Sequence, residues 1–358
     1  MDRRQFLLAV PGGALLPSLA SAQEPGRLYR IALITPSEIT VEMCRKFQLP
    51  ELARFGFVEG RNLTMTTHVG LPARMPELAR EAIATKPDVV IAVSTVAILA
   101  AKEASSTVPI VMAFIGDDPV AKGVANSFAR PGGSVTGVAM LANEMDGKRA
   151  SLLHDFVPAA RRIAILTGRP PRLAEGAAEA QHVARKLGLE TEVFYADEPA
   201  DYVAAFAAMR AARSEALVII SAPDFFRDAA VLSRLALEAG LPTVCEWASM
   251  ARDGCLIGYG PNFAALWRRP AEYVARILRG AKPGELPIEQ PTLFEFAVNL
   301  KTAKALHYSG SISAACRRGD RIAFDLCPLR VNRVDPAMSA TRPLKRANSV
   351  IDSSASAP

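Results

Sequence analysis

DVVIAVSTVAILAAKEASSTVPIVMAFIGDDPV, residues 88–120, is the stretch on which the fold turns. Asp88–Val93 is a short run of Val, Ile and Ala without polar alternation, the pattern of a strand covered on both faces. Val96–Ser105 has helical length and an amphipathic spacing, and Pro109–Phe114 is a second unbroken apolar run. Strand, helix and strand in that order make one unit of a parallel sheet with a crossover helix. Outward from it the same alternation continues. Upstream lie strand Tyr29–Ile34, helix Val41–Phe55, strand Leu63–His68 and helix Met75–Thr85; downstream lie helix Val120–Phe128 and strand Val135–Ala139. Gly56, Gly60, Pro87 and Pro109 fall at the breaks, where turns and helix ends want them.

The second half repeats the scheme. Strand Arg162–Leu166 leads to helix Arg172–Leu187, strand Glu190–Tyr195, helix Tyr202–Arg213, strand Ala216–Ile220, helix Phe225–Ala239, strand Thr243–Glu246 and the apolar segment Cys255–Tyr259. Two halves of equal pattern, in a chain longer than one core usually serves, predict two domains. The expected fold class is α/β, with two doubly wound parallel-sheet lobes facing one another and joined by hinge crossings. The expected boundaries are 27–141 plus about 281–306 for lobe 1, and 142–280, including a return helix Phe263–Arg279, for lobe 2. Leu141–Gly147 is read as one crossing, and strand Thr292–Leu300 as part of the return to lobe 1.

The first residues place Arg3 and Arg4 before an apolar run, Phe6–Ala20, and a small-residue site at Ala20-Ser21-Ala22. That order predicts a signal peptide over residues 1–22 and a periplasmic protein, exported by the general or the twin-arginine route. The run is broken by Pro11, Gly12, Gly13 and Pro17 and falls short of the roughly 20 residues of a spanning helix. The net charge is +6. Taking away the +1 of residues 1–22 and the +4 of residues 307–358 leaves +1 for the body, residues 23–306. A nearly neutral body has no footprint for nucleic acid. Cys44, Cys245, Cys255, Cys316 and Cys327 form no Cys-x-x-Cys pair and have no histidine beside them, so no metal is expected. Cys245 and Cys255 flank one short stretch and could pair in an oxidising compartment; buried free thiols are the favoured reading.

No Gly-x-Gly-x-x-Gly, phosphate loop, Gly-x-Ser-x-Gly or His-Glu-x-x-His occurs, and of the four histidines, His68, His154, His182 and His307, the last three lie away from the expected strand tips. The strand tips carry hydroxyls and carboxylates instead. Ser94 and Thr95 follow one strand and start a helix; Asp117 and Asp118 follow the next. Ser221 and Asp224, Glu246 and Trp247, and Tyr259 between Gly258 and Gly260 close strands of the second lobe. In doubly wound folds ligands bind at strand carboxyl ends. Ser94, Thr95, Asp117, Asp118, Ser221, Asp224 and Tyr259 are therefore the candidate ligand contacts, with plain N-capping an equal reading for Thr95.

Further stretches resemble a known family. FGFVEGRNL (55–63), residues 87–101, TVPIVMAFIGDDPV (107–120), ARPGGSVTGV (129–138), GYGPNFAALWRRPAEYVARILRGAKPGELPIEQPT (258–292) and FEFAVNLKTAKAL (294–306) are similar to bacterial ABC-transporter solute-binding proteins related to the tryptophan and tyrosine uptake binding proteins. The resemblance implies a type I periplasmic-binding-protein fold. It further implies a monomeric, cofactor-free binding protein, not an enzyme, that captures a small organic solute between its lobes and delivers it to membrane permease subunits. Amino-acid-like molecules are among the solutes such tips would suit. A ligand-binding module for a membrane signalling receptor is the alternative. Gly116-Asp117-Asp118-Pro119 is one residue longer than the family's usual loop, which leaves open which aspartate meets the ligand. After Leu306 the likeness stops, and residues 307–358 are read as a disordered tail arising from a reading-frame change or a substituted end.

Overall fold

The computed structural model describes residues 26–170, 173–307 and 329–331. The signal peptide and the rest of the tail expected after Leu306 lie outside these residues. Along the chain run β1 (Tyr29–Thr35), α1 (Glu38–Met43), a π turn at Cys44–Gln48, α2 (Leu49–Arg54), β2 (Leu63–Val69), α3 (Met75–Ala84), β3 (Val89–Val93), α4 (Thr95–Ala104), β4 (Ile110–Ile115) and β5 (Val135–Ala139). There follow α5 (Ala142–Phe156), β6 (Arg162–Thr167), α6 (Ala174–Lys186), β7 (Glu190–Tyr195), α7 (Pro199–Ala211), β8 (Ala216–Ile219), α8 (Pro223–Arg227), α9 (Ala229–Glu238), β9 (Thr243–Cys245) and β10 (Ile257–Pro261). The chain continues through α10 (Phe263–Leu278), β11 (Phe294–Val298), α11 (Leu300–Ala305) and β12 (Leu329–Val331).

Two compact units result: one runs to Asn143 and takes in Phe263–Gln290, the other is Glu144–Asn262 with the described residues from Pro291 onward. The first unit holds a parallel five-stranded sheet in the order β2-β1-β3-β4-β5. Its central strand β3 is buried at every position, as its unbroken Val-Val-Ile-Ala-Val requires. Met75, Leu78, Ala79 and Ala82 of α3 and Ala97, Ile98 and Ala101 of α4 close over Ala32, Ile34, Val90 and Met112. In the second unit the sheet order is β12-β11-β10-β9-β8-β6-β7, parallel from β7 to β10 and antiparallel at β11 and β12. Leu153, Phe156, Ala177 and Ala180 pack there on Ile163, Ile165, Val218 and Val244.

Six expectations are corrected. Leu141–Gly147 is not a bare crossing: it opens the fifteen-residue helix α5. No helix forms over Val120–Phe128, because Oδ1 of Asp118 accepts from the amides of Val120 and Ala121, and Gly123, at φ +67°, ends the turn. Helix α10 belongs to the first unit, where its apolar face covers β4, β5 and α2. Strand β11 belongs to the second, because it satisfies the open edge of β10 by antiparallel pairing. Cys245 and Cys255 form a disulfide rather than two free thiols; Cys44 is a buried free thiol. Leu329–Val331, inside the stretch read as a disordered tail, pairs with Phe294–Phe296.

Candidate functional site

The two sheets share one order. From the first parallel strand the chain passes to one side for the second and returns to the other side for the third, in β1, β2, β3 and again in β6, β7, β8. Where the direction reverses, the loops at the strand carboxyl ends part and leave a crevice. In the first unit these ends carry Thr35, Ser94 and Thr95; in the second, Thr167 and Ser221. The fourth strands, β4 and β9, end at an acid in each unit, Asp117 and Glu246. Thr35 and Thr167 are buried at equivalent strand ends, 0% and 1% exposed, and the sequence reading passed over both by ending each strand one residue early.

Around the first crevice the candidate residues divide in two. Ser94 holds φ +88° and its side chain accepts from the amide of Ala97, so it caps α4. Thr95 points instead to the neighbouring strand tip: its hydroxyl donates to Oδ2 of Asp117 at 2.5 Å. Asn143 Nδ2 donates to Oδ1 of the same carboxylate at 3.0 Å, and Lys122 Nζ stands 4.0 Å from it. Asp118 is spent on its own turn, so Asp117 is the aspartate that shares the crevice with Thr95. Phe114, three residues before Asp117, meets Trp267 edge to face at 4.7 Å, and the ring of Phe263 lies 6.2 Å from the same indole.

The second unit gathers a buried charged cluster that includes two residues no sequence argument named. Arg149, wholly buried, donates from Nη1 to Asp146 Oδ1 and to Ser221 Oγ, both at 2.6 Å. Its Nε donates to the Tyr259 carbonyl at 2.8 Å and its Nη2 to the Glu246 carbonyl at 3.3 Å. Asp146 Oδ1 accepts in turn from the amide and hydroxyl of Ser221, while Oδ2 is buried with no partner. Burial pushes the Asp146 carboxyl up against the pull of Arg149 and of the Ser221 donors. Burial pushes the Glu246 carboxyl up to about 7, with the Arg149 charge opposing it and Asp146 adding to it. Burial likewise raises the Tyr259 hydroxyl. Both new residues sit on α5. Its i, i+3 spacing of Asp146 and Arg149, followed by Leu152, Leu153 and Phe156, was the readable signal, hidden when 141–147 was taken as a link.

Ser221 and Tyr259 are therefore drawn into one network, and Asp224 is not. Asp224 lies on α8 with Arg227 Nη1 at 3.5 Å. Tyr259 is mid-strand rather than at a tip: β10 runs on to Pro261, and the half-buried ring stacks on Phe294 at 5.9 Å. The backbones of β9 and β10 approach so closely here that a Cβ at Gly258 would stand 2.3 Å from the Trp247 carbonyl oxygen, and one at Gly260 2.2 Å from that of Glu246. Among the described residues no group of three or more His, Cys, Asp or Glu could hold a metal ion, and no helix is long and apolar enough to cross a membrane.

Paired α/β units with hydroxyls and acids at their switch points define the type I periplasmic-binding-protein class, and the chain has that fold. It belongs to the ABC transporter substrate binding protein family, whose sequence model matches residues 51–315. It is a substrate-binding component, not an enzyme. Among proteins of known role it is similar to a tyrosine-binding protein of Clostridioides difficile, 22% identical over 271 residues that cover 75% of this chain and 77% of the relative. Among solved structures, a conserved domain protein of Vibrio cholerae superposes with TM-score 0.71 at 22% identity, covering 80% of this chain and 98% of the other. The ABC domain of Streptococcus pneumonia in complex with L-Trp gives 0.68 at 19% identity over the same shares.

Proposed function

We propose that this substrate-binding protein works in the periplasm, after removal of residues 1–22, and passes a small amino-acid-like solute to ABC permease subunits. The observation that carries the reading is the carboxylate of Asp117. It stands at a strand tip beside the Thr95 hydroxyl, at the switch point where such sheets take their ligands. A carboxylate at such a tip suits a solute ammonium group. The N–H groups at the start of α4, with Ser94 as cap, suit a solute carboxylate. In the second unit Asp224 and the half-buried Tyr259 ring are the contacts; Ser221, engaged by Asp146 and Arg149, holds the strand tip. A tyrosine-binding relative and a neighbour holding L-Trp point to aromatic amino acids as the first solutes to try.

The test is a thermal-shift screen of the mature protein against the amino acids and aromatic carboxylic acids, followed by calorimetry on the hits. A solute at a hundred times its dissociation constant stabilises by about 2.7 kcal/mol, which such a screen reads readily. Absence of a shift with every compound would remove this solute class.

A further inference from the structure

The buried guanidinium of Arg149 spends its donors on two strand ends, the middle of a third strand and one helix at once. Nη1 reaches Ser221 after β8, Nη2 reaches the Glu246 carbonyl after β9, and Nε reaches the Tyr259 carbonyl of β10, while Asp146, one helical turn earlier on α5, supplies the counter-charge. Only a planar fork of fixed N–H directions can serve acceptors on several sides together; a lysine ammonium is a point charge on a flexible stem. Around the fork the chain is shaped to admit it. Gly260 leaves the Glu246 carbonyl and Arg149 Nη2 room, since a Cβ there would stand 2.2 Å from the first and 3.5 Å from the second. The Cys245–Cys255 disulfide closes the segment between β9 and β10 that carries Glu246. The cluster also leaves Asp146 Oδ2 buried without a partner, a cost that an apolar core at the same place would not carry.

We infer that Arg149 is a positioning residue: it does not meet the solute but fixes the ends of β8 and β9 and the middle of β10, and with them the Tyr259 ring. The inference rests on the proposed reading only in the part that concerns Tyr259 and affinity. A residue whose role is to hold separate strand ends, rather than to fill the core, loosens those ends first when it is replaced.

The experiment compares the full mature chain with Arg149→Lys, Arg149→Met and, as a control for simple destabilisation, Leu153→Ala, which opens the core from the same helix without touching the cluster. Hydrogen exchange of the solute-free protein is read by mass spectrometry. With Arg149→Met, exchange is expected to rise at least tenfold in peptides covering Ser221, Glu246–Trp247 and Tyr259–Gly260, with β6 (Arg162–Thr167) unchanged. Arg149→Lys is expected to restore protection at Ser221, through Asp146, and not at Tyr259. Leu153→Ala should loosen the second unit broadly. An Arg149→Met pattern equal to that of Leu153→Ala, or no change at the three segments, overturns the inference. Binding of L-tyrosine as probe is measured in parallel. Where it binds, Arg149→Lys should weaken it at least tenfold at a melting temperature no lower than that of Leu153→Ala. Where it does not bind, the exchange pattern decides alone. If the pattern appears while Asp117→Asn and Tyr259→Ala bind the probe like the parent, the ligand contacts proposed above are wrong and the role of Arg149 stands.

Discussion

Thr95 and Asp117, which follow neighbouring strands β3 and β4, are joined by a hydrogen bond from the threonine hydroxyl to Oδ2 of the aspartate. With Asn143 on the other oxygen and Lys122 Nζ at 4.0 Å, the carboxylate is held in a fixed orientation at the strand tip. Asp117→Asn preserves this shape and removes the charge. A hydrogen bond to a charged group is worth about 1.5–3 kcal/mol, so affinity for an amine-bearing solute should fall at least tenfold while the melting temperature holds. Calorimetric titration with a solute found in the thermal screen checks it; an unchanged dissociation constant would remove Asp117 from the site.

The neighbouring aspartate should behave in the opposite way. Asp118 accepts from the amides of Val120 and Ala121 and has no share in the Thr95 pairing. Asp118→Ala is expected to cost about 1 kcal/mol of stability, the worth of a typical hydrogen bond, and to leave solute affinity as it was. Urea denaturation and titration together separate the two aspartates.

Gly258 and Gly260 face backbone, not movable side chains, so alanine at either position forces β9 and β10 apart. Overpacking of this kind costs about 1–3 kcal/mol. Gly260→Ala should also weaken binding, since it displaces the Glu246 carbonyl that Arg149 holds. Wild-type stability in a Gly260→Ala variant, read by chemical denaturation, would contradict the close approach.

The disulfide joins Cys245 and Cys255 across ten residues of sequence. Constraint of the unfolded chain by so short a loop is worth about 2–3 kcal/mol. Reduction, or the double change Cys245→Ser with Cys255→Ser, should therefore lower the melting temperature by several degrees. Equal melting curves with and without reductant would show that the bond does not form in solution.

Glu246 sets a pH dependence with a definite sign. Its carboxyl, pushed up from 4.5 to about 7, binds its proton more tightly in the folded chain than in the unfolded one. Its contribution is therefore full below about pH 4.5, declines as pH rises towards 7, and is lost above. Glu246→Gln keeps the neutral form throughout, so its advantage over wild type should be near nil at pH 4.5 and grow to about 3 kcal/mol above pH 7. A difference that stays constant from pH 4.5 to 8 would mean that Glu246 is charged and solvated.

The repeated strand and helix pattern was legible because each half keeps its own period. Val89–Val93 and Ile163–Leu166 are unbroken apolar runs of the kind a doubly covered parallel strand shows, and both are interior strands paired on each side. Thr95 and Asp117 could be named from sequence because each directly follows such a run. Arg149 and Asp146 are harder to name: their i, i+3 spacing marks a helix, but it lies in a stretch whose weak amphipathicity and single glycine resemble a linker, and the spacing does not tell a buried arginine from a solvated one.

The order of apolar runs, the turn residues between them and the acids and hydroxyls at their ends thus determine the α/β class and half of the candidate site from the sequence alone. Tertiary structure decided the rest. It set which unit receives α10 and β11, since a helix goes where its apolar stripe is covered and a strand where an open edge pairs with it. It set Asp118 apart from Asp117, since Asp118 accepts from the amides of its own turn while Asp117 accepts from Thr95 on the neighbouring strand. It also placed Arg149 against the ends of β8 and β9 and the middle of β10, because bonds between Arg149 and residues 72, 97 and 110 positions away exist only once the sheet has formed.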